Sequence, residues 1–484
     1  MNELTVAAGA VDAAPPARRT RHGSDLFNPV LVREATQVAA TRFFRALTAI
    51  ALAGAALAAC GALTGNRPDA DLALVGDSFF GALQAVFFPL TTLLTPVAVF
   101  FSMRAEAAGS TAESLLVTGF RPGAVVRGKL QVVALQYLFW ASLFAPLVAS
   151  AYLLGGVGLA DIARFYVDSA ALCAALSGVM MVAGAATRGA PIVGALIAIL
   201  VVLSSAISLF AAGVAVRFGA PTSPPDPKAM LFRILTAATV TGGCALGAAG
   251  ALTHPFENRA TAMRVFLLVA LAGFAAALAC TGASGNEWSM FALIAAACAT
   301  PIFVAGATEE EPLSPRVRTL VPRSRAAALL AVPFLPGRGR GLLFALLVIA
   351  ALTPIANLAS DRRDATRAFG VLGYAAVYAA LGCLCRGPLG PGRRFDRAAR
   401  GMVVLIGLLA CFFPWAFEGF SPRSWSALHV FNPFFTVPEM EGDLDVALAP
   451  WILLALLLAP SARAMASAFE EVANASAARR RREA

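Results

Sequence analysis

Residues 104–130 read RAEAAGSTAESLLVTGFRPGAVVRGKL. This short polar stretch lies between two long apolar runs, and its punctuation specifies one small helix. Ser110 and Glu113 stand at capping-box spacing, Gly119 can end the helix in a left-handed conformation, and Pro122 forbids continuation. The spacing predicts a rigid knob over 111–118 that offers Leu115, Leu116 and Val117 to a partner. A knob held between two membrane spans suits mechanical contact better than chemistry.

The flanking apolar runs, 79–102 and 130–154, are long enough to cross a hydrocarbon core of about 30 Å at about 1.5 Å per residue. Similar runs recur at 46–64, 167–187, 190–213, 231–252, 265–283, 288–306, 341–358, 369–385, 401–420 and 447–463, which predicts about 12 transmembrane helices. Hydrophobic residues make up 59% of the 484 positions and charged residues only 14%, against roughly 25% charged in soluble domains. The expected fold is therefore an all-α polytopic membrane protein. Clusters at Arg18–Arg45, Arg104–Lys129, Arg316–Arg340, Arg386–Arg400 and Arg479–Arg482 fall on one side, while 420–446 carries Glu439, Glu441, Asp443 and Asp445. The positive-inside rule then makes both termini cytoplasmic. Topogenesis and anionic lipid account for the net charge of +10 without a nucleic-acid partner.

Residues 1–25 read as a disordered N-terminus, followed by an amphipathic interfacial helix over 27–44. Asn28 is a good N-cap and Pro29 a good first helical residue. The helical period puts Leu31, Ala35, Val38 and Ala39 on an apolar face, with Arg33, Glu34, Gln37 and Thr41 on the polar one. A turn near 252–264 divides the chain into halves of six spans, 26–258 and 259–466, with a basic tail at 467–484. Equal parity makes the halves parallel if they are repeats, and the loops 104–129 and 307–340 correspond.

Catalytic patterns are missing. His22, His254 and His429 lie far apart, and the eight cysteines fall in or beside spans without zinc-ligand spacing, so no metal site is expected. Gly123 to Lys129 matches a phosphate-loop pattern, yet Leu130 replaces the magnesium-holding hydroxyl and no strand precedes it. Asp161, Arg164 and Asp168 read as a structural ion pair at the membrane interface. Few ionisable groups fall at mid-span, which weighs against an ion-coupled carrier. Gln84, Thr91, Thr92, Thr95 and Gln136, with Pro89 and Pro96, mark a candidate pathway along the second and third spans. The competing reading is that the hydroxyls bond back to their own helix. Trp425, Phe431, Phe434 and Phe435 suit an interfacial or re-entrant hairpin.

Taken together, Glu106, Gly109, Thr111, Glu113, Leu115, Leu116, Thr118, Gly128 and Lys129 resemble the loop that follows the second span in permease subunits of type-2 ABC exporters. The helix with Asn28, Pro29, Arg33 and Glu34 resembles that family's interfacial connecting helix, and the likeness covers about residues 26–215. The resemblance implies an exporter in the cytoplasmic (inner) membrane, powered by a separate ATPase that docks on residues 111–118. ATP and magnesium would then belong to the partner, and this chain would hold no cofactor. The family's usual permease has six spans and works as a pair. Twelve spans imply a fused pseudo-dimer, or one permease with an accessory half, and a homodimer stays open. Glu309-Glu310-Glu311-Pro312 does not reproduce the first loop's motif. A non-transporting scaffold that uses the same knob as an anchor is the alternative reading.

Overall fold

The computed structural model describes residues 29–65, 71–108, 122–186, 227–253, 257–309, 313–358, 361–389, 393–418 and 444–483, together with 432–433, 436–437 and 440. Every regular element among them is helical. The N-terminal elements are α1 (Pro29–Ala40), α2 (Arg42–Gly65), α3 (Leu72–Pro89), a wide π turn (Leu90–Leu94) and α4 (Thr95–Ala108). They are followed by α5 (Pro122–Leu154), α6 (Leu159–Ala186) and α7 (Pro227–Leu252). The remainder holds α8 (Ala260–Cys280), α9 (Gly285–Ala307), α10 (Pro315–Arg318), α11 (Arg325–Ala331) and α12 (Arg338–Ala356), then α13 (Arg362–Arg386), α14 (Arg393–Glu418) and α15 (Leu444–Glu483).

Among the described residues, 10 helical stretches are long and apolar enough to cross a membrane. The chain is an all-α, multi-pass membrane protein. Of the twelve expected spans, 190–213 lies outside the described residues, and 401–420 falls largely in α14, which is not among the ten. Large apolar side chains such as Leu57, Leu153, Val269 and Leu456 stand on the outer surface, where lipid solvates them.

Local chemistry explains the ends. Asp71 accepts from the amide of Ala73, and Asp361 from that of Arg363, so each caps the helix that follows it. Ser284 and Glu287 form a reciprocal capping box at the start of α9, with Ser284 N–H donating to Glu287 at 2.6 Å. The expected box at Ser110 and Glu113 lies outside the described residues. Pro122 opens α5 in the first turn, where its missing N–H leaves no bond unmade. The phosphate-loop match from Gly123 to Lys129 lies wholly inside that helix rather than in a loop between a strand and a helix, so it is not a phosphate loop.

The two halves pack in the same order. In the first, α2 packs on α3, α3 on α5, α4 on α6, α6 on α5 and α7, and α5 on α7. In the second, α8 packs on α9, α9 on α12 and α13, α13 on α12 and α15, and α12 on α15. Within each half the second and fourth spans run in the same direction. Phe80 meets Phe165 and Gly184 meets Phe100 in one, while Ser289 meets Asp364 and Gly382 meets Val304 in the other. The halves join where α7 packs on α8.

Their cores differ in kind. The first is aromatic, with Phe87 tilted against Phe165 and edge-on to Phe144, at ring separations of 5.2 and 5.3 Å. The second is built on alanine: Ala292, Ala296 and Ala299 of α9 lie among Ala375, Ala376 and Ala379 of α13. Small residues let backbones approach closely, which is the main source of helix association in lipid. One such close approach is at Gly341 of α12, where a methyl group would stand 2.1 Å from the carbonyl oxygen of Gly306. Gly341→Ala should force α9 and α12 apart and lower stability by about 1–3 kcal/mol. Thermal unfolding in mild detergent checks this against Gly273→Ala, where the added methyl meets nothing within 4 Å.

The expected second span is interrupted as its two prolines predict. Thr95 N–H and its hydroxyl both reach back to the carbonyl of Leu90, five residues earlier. The hydroxyls of Thr91 and Thr92 bond to carbonyls of Phe87 and Phe88. All three threonines are buried with their hydrogen bonds made inside their own helix, while Gln84 and Gln136 are half-buried. On the far side of the bundle, Asp168 meets Arg233 at 2.6 Å and Arg164 at 3.6 Å, an ion pair that ties α6 to α7.

Candidate coupling site at the basic end

Three elements converge on one buried charge cluster: α1, the last turns of α4 and the first turns of α5. The chain leaves α1 at Thr41, whose hydroxyl accepts from the amide of Phe44 and starts α2 as a new helix. That corner leaves α1 packed on α5. Leu31 and Glu34, one turn apart, are both buried. The helical period had put Glu34 on the polar face with Arg33. That assignment is corrected here, because a buried cation on α5 draws the carboxylate inward.

That cation is Lys129, only 2% exposed. Its ammonium lies 3.3 Å from Glu34 Oε2 and 3.3 Å from Glu106 Oε2, and it also donates to Ser102 Oγ. Ser102 donates in turn to Glu34 Oε2 at 3.0 Å. Arg33 lies across the mouth of the cluster and bonds Glu34 Oε1 and Glu106 Oε1, each at 3.2 Å. Two carboxylates face two cations, so the group is neutral as a unit. Glu106 Oε2 has no hydrogen bond of its own among the described residues and is held by charge. Met103 and Ala107 of α4, with Val126 and Val133 of α5, pack the apolar layer behind it.

Burial alone would push the Glu34 carboxyl up. The Lys129 charge and hydrogen bonds from Ser102, Lys129 and Arg33 outweigh it and hold the group below the ordinary value of 4.5. A carboxyl with a depressed folded pKa stabilises the fold above its unfolded value and loses that contribution as pH falls through the folded one. The stability difference between wild type and Glu34→Gln should therefore stay constant from about pH 7 to about pH 5 and shrink below about pH 4. Paired unfolding curves across that range measure it.

The site gathers part of the set expected from the sequence. Glu34, Glu106 and Lys129 meet in one cluster, Arg33 closes it, and Gly128 is buried beside Lys129. Pro29 opens α1. Asn28, Gly109, Thr111, Glu113, Leu115, Leu116 and Thr118 lie outside the described residues, as do Trp425, Phe431, Phe434 and Phe435. Sequence reasoning missed Ser102, which stands one turn before Glu106 on the same helix face, a spacing that could have marked it.

The arrangement is mechanical. Glu106 lies two residues before the end of α4 and Lys129 seven residues into α5, so their contact holds together the two ends of segment 109–121. Glu34 then fastens both ends to α1. The cluster thus ties α1, α4 and α5 to one another. No protein-family model, curated protein or solved structure matches this chain.

Proposed function

We propose that this chain is the membrane permease of an ATP-driven exporter of the type-2 ABC kind, coupled through residues 104–129 to a separate ATPase subunit. The observation that carries the reading is the clamp of Glu34, Glu106 and Lys129. Three residues singled out by the family resemblance, spread over 95 positions, stand on three different elements and neutralise one another. A loop that receives force needs both roots fixed to the helices it moves, and this cluster supplies that fixture. The partner brings ATP and magnesium, and this chain supplies the path and the lever in the cytoplasmic membrane.

Purification of the tagged chain from native membranes in mild detergent tests the reading, with the stoichiometry of whatever comes with it. An ATP-binding subunit whose hydrolysis depends on this chain is the expected result. Recovery of a different partner that needs residues 111–118 would replace the exporter with a membrane anchor.

A further inference from the structure

The second half has its own buried cation at the matching place. Arg340, 0% exposed, lies in the first turn of α12, four residues after Pro336, and Lys129 lies in the second turn of α5, seven residues after Pro122. Glu309 follows the end of α9 as Glu106 ends α4, and it bonds Arg264 of α8 at 2.8 Å. The order and direction of helix packing also agree between the halves. One part differs. In the first half the buried cation is met by Glu34 of an interfacial helix preceding the first span. In the second half both terminal nitrogens of Arg340 reach Glu471 Oε2, each at 3.2 Å, and Glu471 belongs to the extension of the last helix, α15.

That extension also closes over loop 307–340. Val472 is wholly buried among Val317, Val321, Ala328 and Val332. Glu471 Oε1 accepts from the Leu313 amide at 2.8 Å and from Arg318 at 3.1 Å. Further along, Ser476 donates to the Arg323 carbonyl, and Arg479 to the carbonyls of Thr319 and Val321. The basic tail is therefore a helix seated on the loop.

We propose that the C-terminal half repeats the N-terminal half in parallel, and that its loop 307–340 is a docking element already occupied in cis by the chain's own residues 461–483. What would dock there in the tail's absence rests on the exporter reading; the occupancy does not. In a chain so built, loop 104–129 is the element left to the ATPase, and release of the tail creates a second one.

Limited trypsin digestion of the purified chain in mild detergent tests the occupancy. Cleavage after Arg316, Arg318, Arg323 and Arg325 needs local opening of the loop. In wild type these bonds should survive, and Glu471→Arg should speed their cleavage by at least about tenfold. Arg479→Ala, which removes the two bonds to the Thr319 and Val321 carbonyls, should give an intermediate rate should the stronger variant fail to fold. Cleavage of wild type as fast as the variants overturns the proposal. With the ATPase present, Glu471→Arg should raise the bound subunits from one per chain to two, and an unchanged ratio overturns the docking role. If no ATPase binds wild type, the exporter reading falls, and the digestion still decides whether the tail occupies the loop.

Discussion

Lys129→Met should destabilise the chain by about 3–5 kcal/mol, the largest effect expected of any single substitution here. Among the described residues the ammonium alone touches Glu34, Glu106 and Ser102 together, and its side chain is almost wholly enclosed. Its loss leaves two buried carboxylates facing each other, with the half-exposed Arg33 as their remaining cation. The cost comes from stranded charge rather than from a lost attraction, because a buried ion pair taken as a whole is close to neutral for stability. Lys129→Met combined with Glu34→Gln and Glu106→Gln should therefore regain most of the loss, a non-additivity that only contacting residues show. Unfolding midpoints of wild type, single and triple variants in one detergent measure it. A single variant as stable as wild type would mean that water reaches the cluster.

Glu113→Arg should behave in the opposite way. Expression and membrane insertion should be unchanged, because an added positive charge in this loop agrees with the charge bias that orients the spans. Binding of the purified ATPase should weaken by about 2–5 kcal/mol if Glu113 meets a basic group in a desolvated contact. Titration of the ATPase against each purified chain separates the two substitutions. Lys129→Met loses fold and binding together, whereas Glu113→Arg loses binding alone. Unchanged affinity would remove residues 111–118 from the docking role.

Much of the architecture was legible from the apolar runs, since hydrocarbon thickness sets their length. The positions of the helix ends were not. Hydropathy places the second span at 79–102, yet its helix continues through Arg104 and Glu106 to Ala108. Hydropathy stops at charges, whereas a charge neutralised by a distant partner no longer ends a helix. Glu34 shows the same limit. Its periodicity is polar, and its burial depends on a lysine 95 residues away that no local window contains. The tail is the plainest case. Read alone, 467–484 is a basic terminus, but in the structure it is helical to Glu483 because loop 307–340 covers one of its faces. The shared packing order of the two halves was legible only as loop position and parity, since lipid asks of core residues that they be small or apolar and leaves their identity free.

The wide turn at Leu90–Leu94 has a consequence for the charge cluster some fifteen residues further on. One residue more in a turn advances all later side chains by about 100° around the helix axis. The stretch before it is phased to meet α2 and α5, and the stretch after it is phased to meet α6 while turning Ser102 and Glu106 toward Lys129. A single straight helix would satisfy one of these neighbours and rotate past the other. The second span therefore keeps two angular settings on one axis. The side-chain hydroxyls of Thr91, Thr92 and Thr95, donating to backbone carbonyls, act as the detent that fixes the offset between them.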